Sequence, residues 1–560
     1  MVMGRKRFLM ATALVLTLVM GLSGCGRSQG QLGSGASGGQ SNTRTTQLVI
    51  GFSGDASYLN PVIASDGQSY KAEWPIFDSL VELDKSLKPQ PLLAEKWDIS
   101  PDGKAYTFHL RQDVKWQDGQ PFTADDVAFT FYSVLDPKVK SPHQAFFSAL
   151  VGFKELTDPK NPADSSKLAK KPIEVVDKYT VRFNLEYPYS PFLSILTNPR
   201  GGIVPKHLLE GKDLRTADFN QKPVGTGPFK VVEWKKDDRL VLEANKDYFA
   251  GKPKIDRIIY RVIPDPVVQM QELRSGGIDM VDMPPLEEVA GLKSDPNYRV
   301  FTAATPSYQY FGFRLDREPF SDKRVRQAIS YAVDFDGIIK KALLGYATRA
   351  TGQLPPDSWA YNHNVKTYPY NSDKAKEILA EAGWRPGPDG ILQKDGKPFK
   401  FTVTGDQANQ QVKDSAVIIQ EQLAKVGIKM EVQLIDWPTF VKRLFASEFE
   451  GILVGWTNHP DPDPFAYTIW HSSQWKGRNF AHYKNPEVDE MLEKARRATS
   501  LDERKKYYAR FQELLAEDAP YVWGYYPQEI YTVRKQFKGL ETIPAQAAIY
   551  QSLKHAYAEK

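Results

Sequence analysis

One cysteine, Cys25, stands among 560 residues, which rules out an intramolecular disulfide and leaves packing to stabilise the fold. Histidine is scarce at eight residues. His459, His471 and His482 are the nearest to one another, without the four-residue helical spacing of a zinc site. No protein-ligated metal or other cofactor is expected, although a metal chelate carried as ligand stays open. Lysine and arginine form no cluster of the kind a nucleic-acid partner requires. The Gly-x-Ser-x-Gly elbow and the His-Glu-x-x-His helix are both missing. An extracellular hydrolase thus loses its commonest signatures, while a carboxylate pair of the glycosidase kind stays open. Past the N-terminus no apolar run reaches the roughly 20 residues that cross a bilayer.

Acidic residues are also absent ahead of Asp55, and that shortage draws attention to the first residues. Arg5-Lys6-Arg7 precede an apolar run from Phe8 to Met20 and then Leu22-Ser23-Gly24-Cys25. This is the order of a secretory signal, and the apolar run is too short for a comfortable span. The block resembles a bacterial lipoprotein signal, in which Cys25 receives the lipid and becomes the mature first residue. The alternative is an ordinary cleaved signal with an incidental cysteine. Residues 26–45, rich in Gly, Ser, Gln and Thr, read as a flexible tether spanning on the order of 25 Å. The expected location is the outer face of the cell membrane, through the lipid anchor, or the periplasm.

The remaining chain has 41% hydrophobic and 25% charged residues, an ordinary globular composition, and its length calls for two or three lobes. Three of the five net positive charges belong to Arg5, Lys6 and Arg7, so the body is close to neutral. Tyr106, Phe108 and Leu110 alternate with polar residues as a half-buried strand does, and Tyr179, Val181, Phe183 and Leu185 repeat the pattern. Between them Thr123 and Asp126 form a capping box ahead of a helix carrying Val127, Phe131, Val134 and Leu135. Gly225-Thr226-Gly227 reads as turn chemistry before a strand at Phe229. A phosphate loop would need Lys-Ser or Lys-Thr and a helix there. Beyond about residue 300 the pattern becomes α/β. Ser321 to Leu344 carries one apolar helical stripe, and helices stop at Gly383 and Gly427. Strands at 399–403 and 428–434 flank the second of these helices, implying a parallel crossover. Ile452 to Trp456 reads as a buried strand, a helix runs from Leu501 to Glu517, and 520–533 returns to strand.

A series of motifs spans nearly all of this body. It includes Leu93-Ala94-Glu95-Lys96-Trp97, Ser100-Pro101-Asp102-Gly103-Lys104-Ala105-Tyr106-Thr107-Phe108, Lys115-Trp116-Gln117-Asp118-Gly119 and Pro121-Phe122-Thr123-Ala124-Asp125-Asp126-Val127. Further on come Gly225-Thr226-Gly227-Pro228-Phe229, Asn245-Lys246-Asp247-Tyr248-Phe249, Asp461-Pro462-Asp463 and Asn479-Phe480-Ala481-His482-Tyr483. In this order they resemble the peptide and nickel solute-binding proteins of ABC importers. The resemblance implies an α/β, two-lobe periplasmic-binding-protein-like fold of the class II type with an extra inserted α+β domain. Lobe one would comprise 46–80, 206–300 and 521–560, the inserted domain 81–205, and lobe two 301–520. It further implies a monomer that captures an oligopeptide between closing lobes and delivers it to the transmembrane subunits of an ABC permease, without catalysis. Oligosaccharides or a nickel chelate are the alternative ligands, and a signalling or adhesion lipoprotein on the same fold is a third reading.

Family members that bind peptides hold the ligand backbone as an added strand would be held. By resemblance, Trp437 and Trp456 are expected to line the site. An aspartate that pairs with the ligand's α-amino group in many relatives is replaced here by His459. Asp461 or Asp463 could substitute, or the Asp-Pro-Asp-Pro run could be a capped turn. Phe146, with Phe147 and Tyr132, is a further candidate for apolar contact, core packing being the alternative.

Overall fold

The computed structural model describes residues 46–559 except 161, 163, 198, 199, 544 and 546. The signal segment, the tether and Cys25 lie outside the described residues. A twelve-stranded mixed sheet organises the body and divides into two halves. In the first, Gln47–Phe52 runs parallel to Arg257–Val262 and Met280–Asp282, and the hairpin of Phe229–Lys235 with Arg239–Ala244 extends its edge. In the second, Lys400–Asp406 lies parallel to Lys429–Ile435 and Gly451–Thr457, and Ser307–Phe313 pairs antiparallel to the last of these.

One long strand, Tyr521–Arg534, joins the halves. Its first residues pair with Ser307–Phe313 and Ala347–Arg349, and Gln528 to Arg534 pair with Tyr298–Ala304. Both chains change partners at one level, where Thr305 donates its hydroxyl to the Pro527 carbonyl at 3.1 Å. Pro306 and Pro527 lie at this level and offer no N–H, so the ladder is interrupted where the two sheets meet.

The segment expected as an insertion forms a four-stranded antiparallel sheet of Ala94–Ile99, Ala105–Leu110, Thr180–Asn184 and Ile173–Asp177. Alternation along Ala105–Leu110 matches its burial residue by residue. The capping box forms as read: Thr123 N–H donates to Asp126 at 2.9 Å and opens the helix Ala124–Leu135. Phe131 packs edge-on against Phe183 and Phe147 at 5.2 and 5.1 Å. Burial of each such ring contributes about 1.5–3 kcal/mol. Phe147 is thereby a core residue, and Tyr132 donates its hydroxyl to the Ile173 carbonyl of the same unit.

Gly225 and Gly227 press against the backbone of Ile76, where an added Cβ would stand 1.8 and 2.6 Å from its carbonyl oxygen. Close approach, not anion binding, explains both glycines. The helices before Gly383 and Gly427 end as expected, both glycines holding positive φ, and the strand, helix, strand crossover is parallel. The stripe of 321–344 belongs to two helices instead of one, Lys323–Ala332 and Phe335–Ala342. Asp334 divides them because its carboxylate caps the second by accepting from Gly337 N–H at 2.8 Å.

Candidate functional site

Gly451–Thr457 sets the geometry of the site. Ile452, Val454 and Trp456 share one face by the two-residue period of a strand, and Trp456 pairs in register with Tyr308. The indole stacks on Phe480 at 5.5 Å and 23° and lies 6.3 Å from Phe465. Phe465 reaches Phe146 of the inserted unit at 5.9 Å, and Phe480 meets the exposed Phe445 edge-on at 4.9 Å. A continuous line of rings therefore crosses from the second half-sheet to the inserted unit. The structure brings Trp456 and Phe146 into it.

Trp437 is placed differently. It opens the helix Trp437–Phe445, since Asp436 caps that helix and Pro438 falls in its first turn, where no donor is needed. Its ring is half exposed and stacks on Phe440 of the same helix at 5.6 Å.

The loop after the strand turns its polar residues inward. Asp461 is buried and bidentate to Arg504, with both N···O distances 2.7 Å. Asp463 is fully buried, receives Arg496 at 3.1 and 3.2 Å, and accepts the Tyr189 hydroxyl at 2.7 Å. The Arg496 guanidinium also lies 3.6 Å from the Tyr467 ring centroid. Both carboxylates are thus committed to intramolecular cations, and the Asp463 cluster ties the second half to the inserted unit. Burial and the Asp463 charge push the Tyr189 phenol well above its ordinary range, so it remains a donor.

His459 is buried, accepts from Asp461 N–H through Nδ1 at 3.2 Å, and hydrogen-bonds the Ser194 backbone. Burial, and then the Arg200 charge, push its pKa down to about 3, so the ring is neutral. His143 is held down to about 3 in the same way by burial, Arg200 and Arg478. Among the described residues no group of three or more His, Cys, Asp or Glu is arranged to hold a metal ion.

Two arginines that sequence reasoning passed over complete the site. Arg200 lies 5.8 Å from the Phe146 centroid and 5.3 Å from that of Tyr70. Arg478 lies 5.7 Å from Phe146 and 5.4 Å from Phe465. Arg478 directly precedes the Asn479-Phe480 motif, which was a usable signal, whereas Arg200 sits in a loop with none. Taken together the site offers aromatic faces, a positive field and neutral imidazoles, which suits binding more than proton transfer.

The family model for bacterial extracellular solute-binding proteins, family 5 Middle, matches residues 88–477. The oligopeptide-binding protein AppA of Bacillus subtilis is 33% identical over 96% of this chain and 97% of its own. Its structure with a nonapeptide superposes with a TM-score of 0.76, covering 92% of this chain and all of that one. NikZ from Campylobacter jejuni, solved with Ni(L-His), is 32% identical with a TM-score of 0.77 over 91% of this chain and 99% of its own. The chain therefore belongs to the family 5 bacterial extracellular solute-binding proteins, and its two half-sheets with an inserted unit are the two-lobe fold of that family.

Proposed function

We propose that this protein captures oligopeptides between its two lobes and delivers them to an ABC import permease, acting as a monomeric receptor and not as an enzyme. The observation that carries the reading is the ring line Trp456, Phe465 and Phe146, which joins lobe two to the inserted domain. A ligand seated against it touches both bodies and can favour their closure, as a ligand must if it is to shift that equilibrium. The peptide-bound structure of the Bacillus relative supports peptides. Within this reading lobe one comprises 46–80, 206–300 and 521–560, the inserted domain 81–205 and lobe two 301–520, with Tyr521–Arg534 serving both lobes. Trp437 and His459 then border the binding region, and Asp461 and Asp463 support it from behind.

Mass spectrometry of solutes released from the purified protein by mild denaturation tests this. Peptides of mixed sequence are expected. Recovery of a nickel chelate or an oligosaccharide in their place would overturn the peptide assignment. Cys25 is proposed as the lipidated anchor. Cys25→Ser should move the protein out of the membrane fraction, because losing the acylated residue removes both signals of a stable attachment. Unchanged retention in that fraction would refute the anchor.

A further inference from the structure

We infer that Lys71 and Asp282 are a self-modification site, at which the lysine amine and the aspartate carboxyl join as an isopeptide bond inside the folded chain. Lys71 Nζ lies 2.5 Å from Asp282 Oδ2, with the two side chains 20% and 7% exposed. Lys71 sits in the last turn of the helix Gly67–Glu73, and Asp282 ends the strand Met280–Asp282. Tyr550 donates its hydroxyl to the same Oδ2 at 3.2 Å. Asp282 pairs in register with Tyr531 of the long strand. Glu529, two residues along that strand, shares the face by the period of a strand, and its Oε2 accepts the Tyr531 hydroxyl. The rings of Phe52, Tyr260 and Tyr531 stand 6.2, 6.3 and 6.4 Å from that of Tyr550. An amine, its carboxyl partner and a second carboxyl thus meet beside an aromatic wall.

The reaction begins with a proton passing from Lys71 Nζ to Asp282 Oδ2, across a contact that already exists. The freed amine lone pair attacks Cγ, the N–C bond forms and the C–Oδ2 bond breaks. Oδ2 leaves as water with two of the three ammonium protons, and the amide nitrogen keeps the third. One ammonium and one carboxylate therefore give one amide and one water, with no co-reactant. Burial, and then the Asp282 charge, push the Tyr550 phenol well above its usual range, so it stays a donor that draws electrons from Cγ. Glu529 is a positioning residue. Burial pushes its carboxyl up to about 7 against the Tyr531 hydrogen bond, and the charges of Asp282 and Lys71 both act on it, so near neutrality it holds a proton close to the pair and returns it. Folding supplies the concentration, since groups fixed in contact react as if at about 10⁵–10⁸ M. The bond closes a loop that contains the whole four-stranded sheet of 94–184, which constrains the unfolded chain as a disulfide does. With Cys25 the only cysteine, an intramolecular disulfide is not open to this chain.

Peptide mapping of the full chain, purified in its folded state, tests this. Trypsin does not cut after an acylated lysine. The digest should therefore contain a branched peptide joining the segments around Lys71 and Asp282, lighter by one water than its parts, from at least half of the molecules. Fragmentation should place the branch at those two residues. Lys71→Arg keeps a cation against Asp282 but has no amine to acylate, so the branch should vanish while thermal unfolding shows an intact fold. Glu529→Gln keeps the shape of the side chain and removes its titrating proton, and should lower the linked fraction at least threefold. Where a variant fails to fold, the wild-type digest alone decides. Normal cleavage after Lys71 with no branched peptide in the wild type overturns the bond, as does a branch that persists in Lys71→Arg. An unchanged linked fraction in folded Glu529→Gln overturns the role given to Glu529. Each of these failures leaves the receptor reading intact, because the bond makes no use of a ligand.

Discussion

Two arginine pairs lie close together in this molecule and have opposite environments. Arg496 and Arg504 face buried aspartates of the loop after Gly451–Thr457, whereas Arg200 and Arg478 face aromatic rings. The first pair is neutralised within the chain and ties the loop to the helices Pro486–Arg497 and Leu501–Asp518. The second packs on the rings of Tyr70, Phe146 and Phe465 and makes no ion pair with a carboxylate among the described residues. Removing one partner of a buried ion pair is costly because the other is left charged in a poor solvent.

The strongest way to break this comparison is Asp461→Ala, which leaves the buried Arg504 without its bidentate partner. A loss of about 3–5 kcal/mol in folding stability is expected, read by urea denaturation. A loss below about 1 kcal/mol would mean that Asp461 is not a structural carboxylate. Next in size is Trp456→Ala, which removes the centre of the ring line. It should weaken peptide binding on the order of thirtyfold while leaving the fold in place, as truncation of an interface anchor does. Calorimetry giving less than threefold would move the ligand away from this wall.

The neutral histidines supply a third measurement. His143 and His459 have an ordinary value of 6.5 and are pushed to about 3 in the folded protein. The unfolded chain thus binds protons first as pH falls. Their contribution to stability is complete above about 6.5 and is lost from there down toward 3, by up to about 1.4 kcal/mol per pH unit for each ring. Urea midpoints at pH 7.5 and 5.0 should fall in the wild type and fall less in His459→Gln. Equal slopes would show that His459 takes up its proton without unfolding. The smallest effect is expected from acetylating a peptide's N-terminus, a loss of less than tenfold, since Asp461 and Asp463 already face arginines. A loss well beyond that would show a carboxylate clamp on the amine and invert the comparison.

Much of the fold was legible because it rests on local periodicity. Tyr106, Phe108 and Leu110 announce their strand, Thr123 and Asp126 their helix start, and Gly383 and Gly427 their helix ends, since each signal acts within a few residues of itself. The break at Asp334 was missed for a local reason too: the apolar stripe continues across it, and a capping carboxylate is only one of many aspartates until its acceptor role is seen. Of the candidate site, Trp456 and Phe146 were legible through residue type and motif position. Trp437 was expected at the site only by resemblance, and Asp436 and Pro438 place it at the start of a helix.

The sequence by itself determined the α/β class and the family, because these follow from periodicities and motifs carried by neighbouring residues; the inserted unit was expected only from the resemblance to that family. Only the tertiary structure decided which charges are free. Asp461 meets Arg504 across 43 residues, Asp463 meets Tyr189 across 274, and Arg200 and Arg478 share the ring of Phe146. Nothing in the local sequence distinguishes an aspartate that will find an arginine from one that will not. Burial and Coulomb energy act through space, and the pairing exists only once distant segments of the chain are folded together.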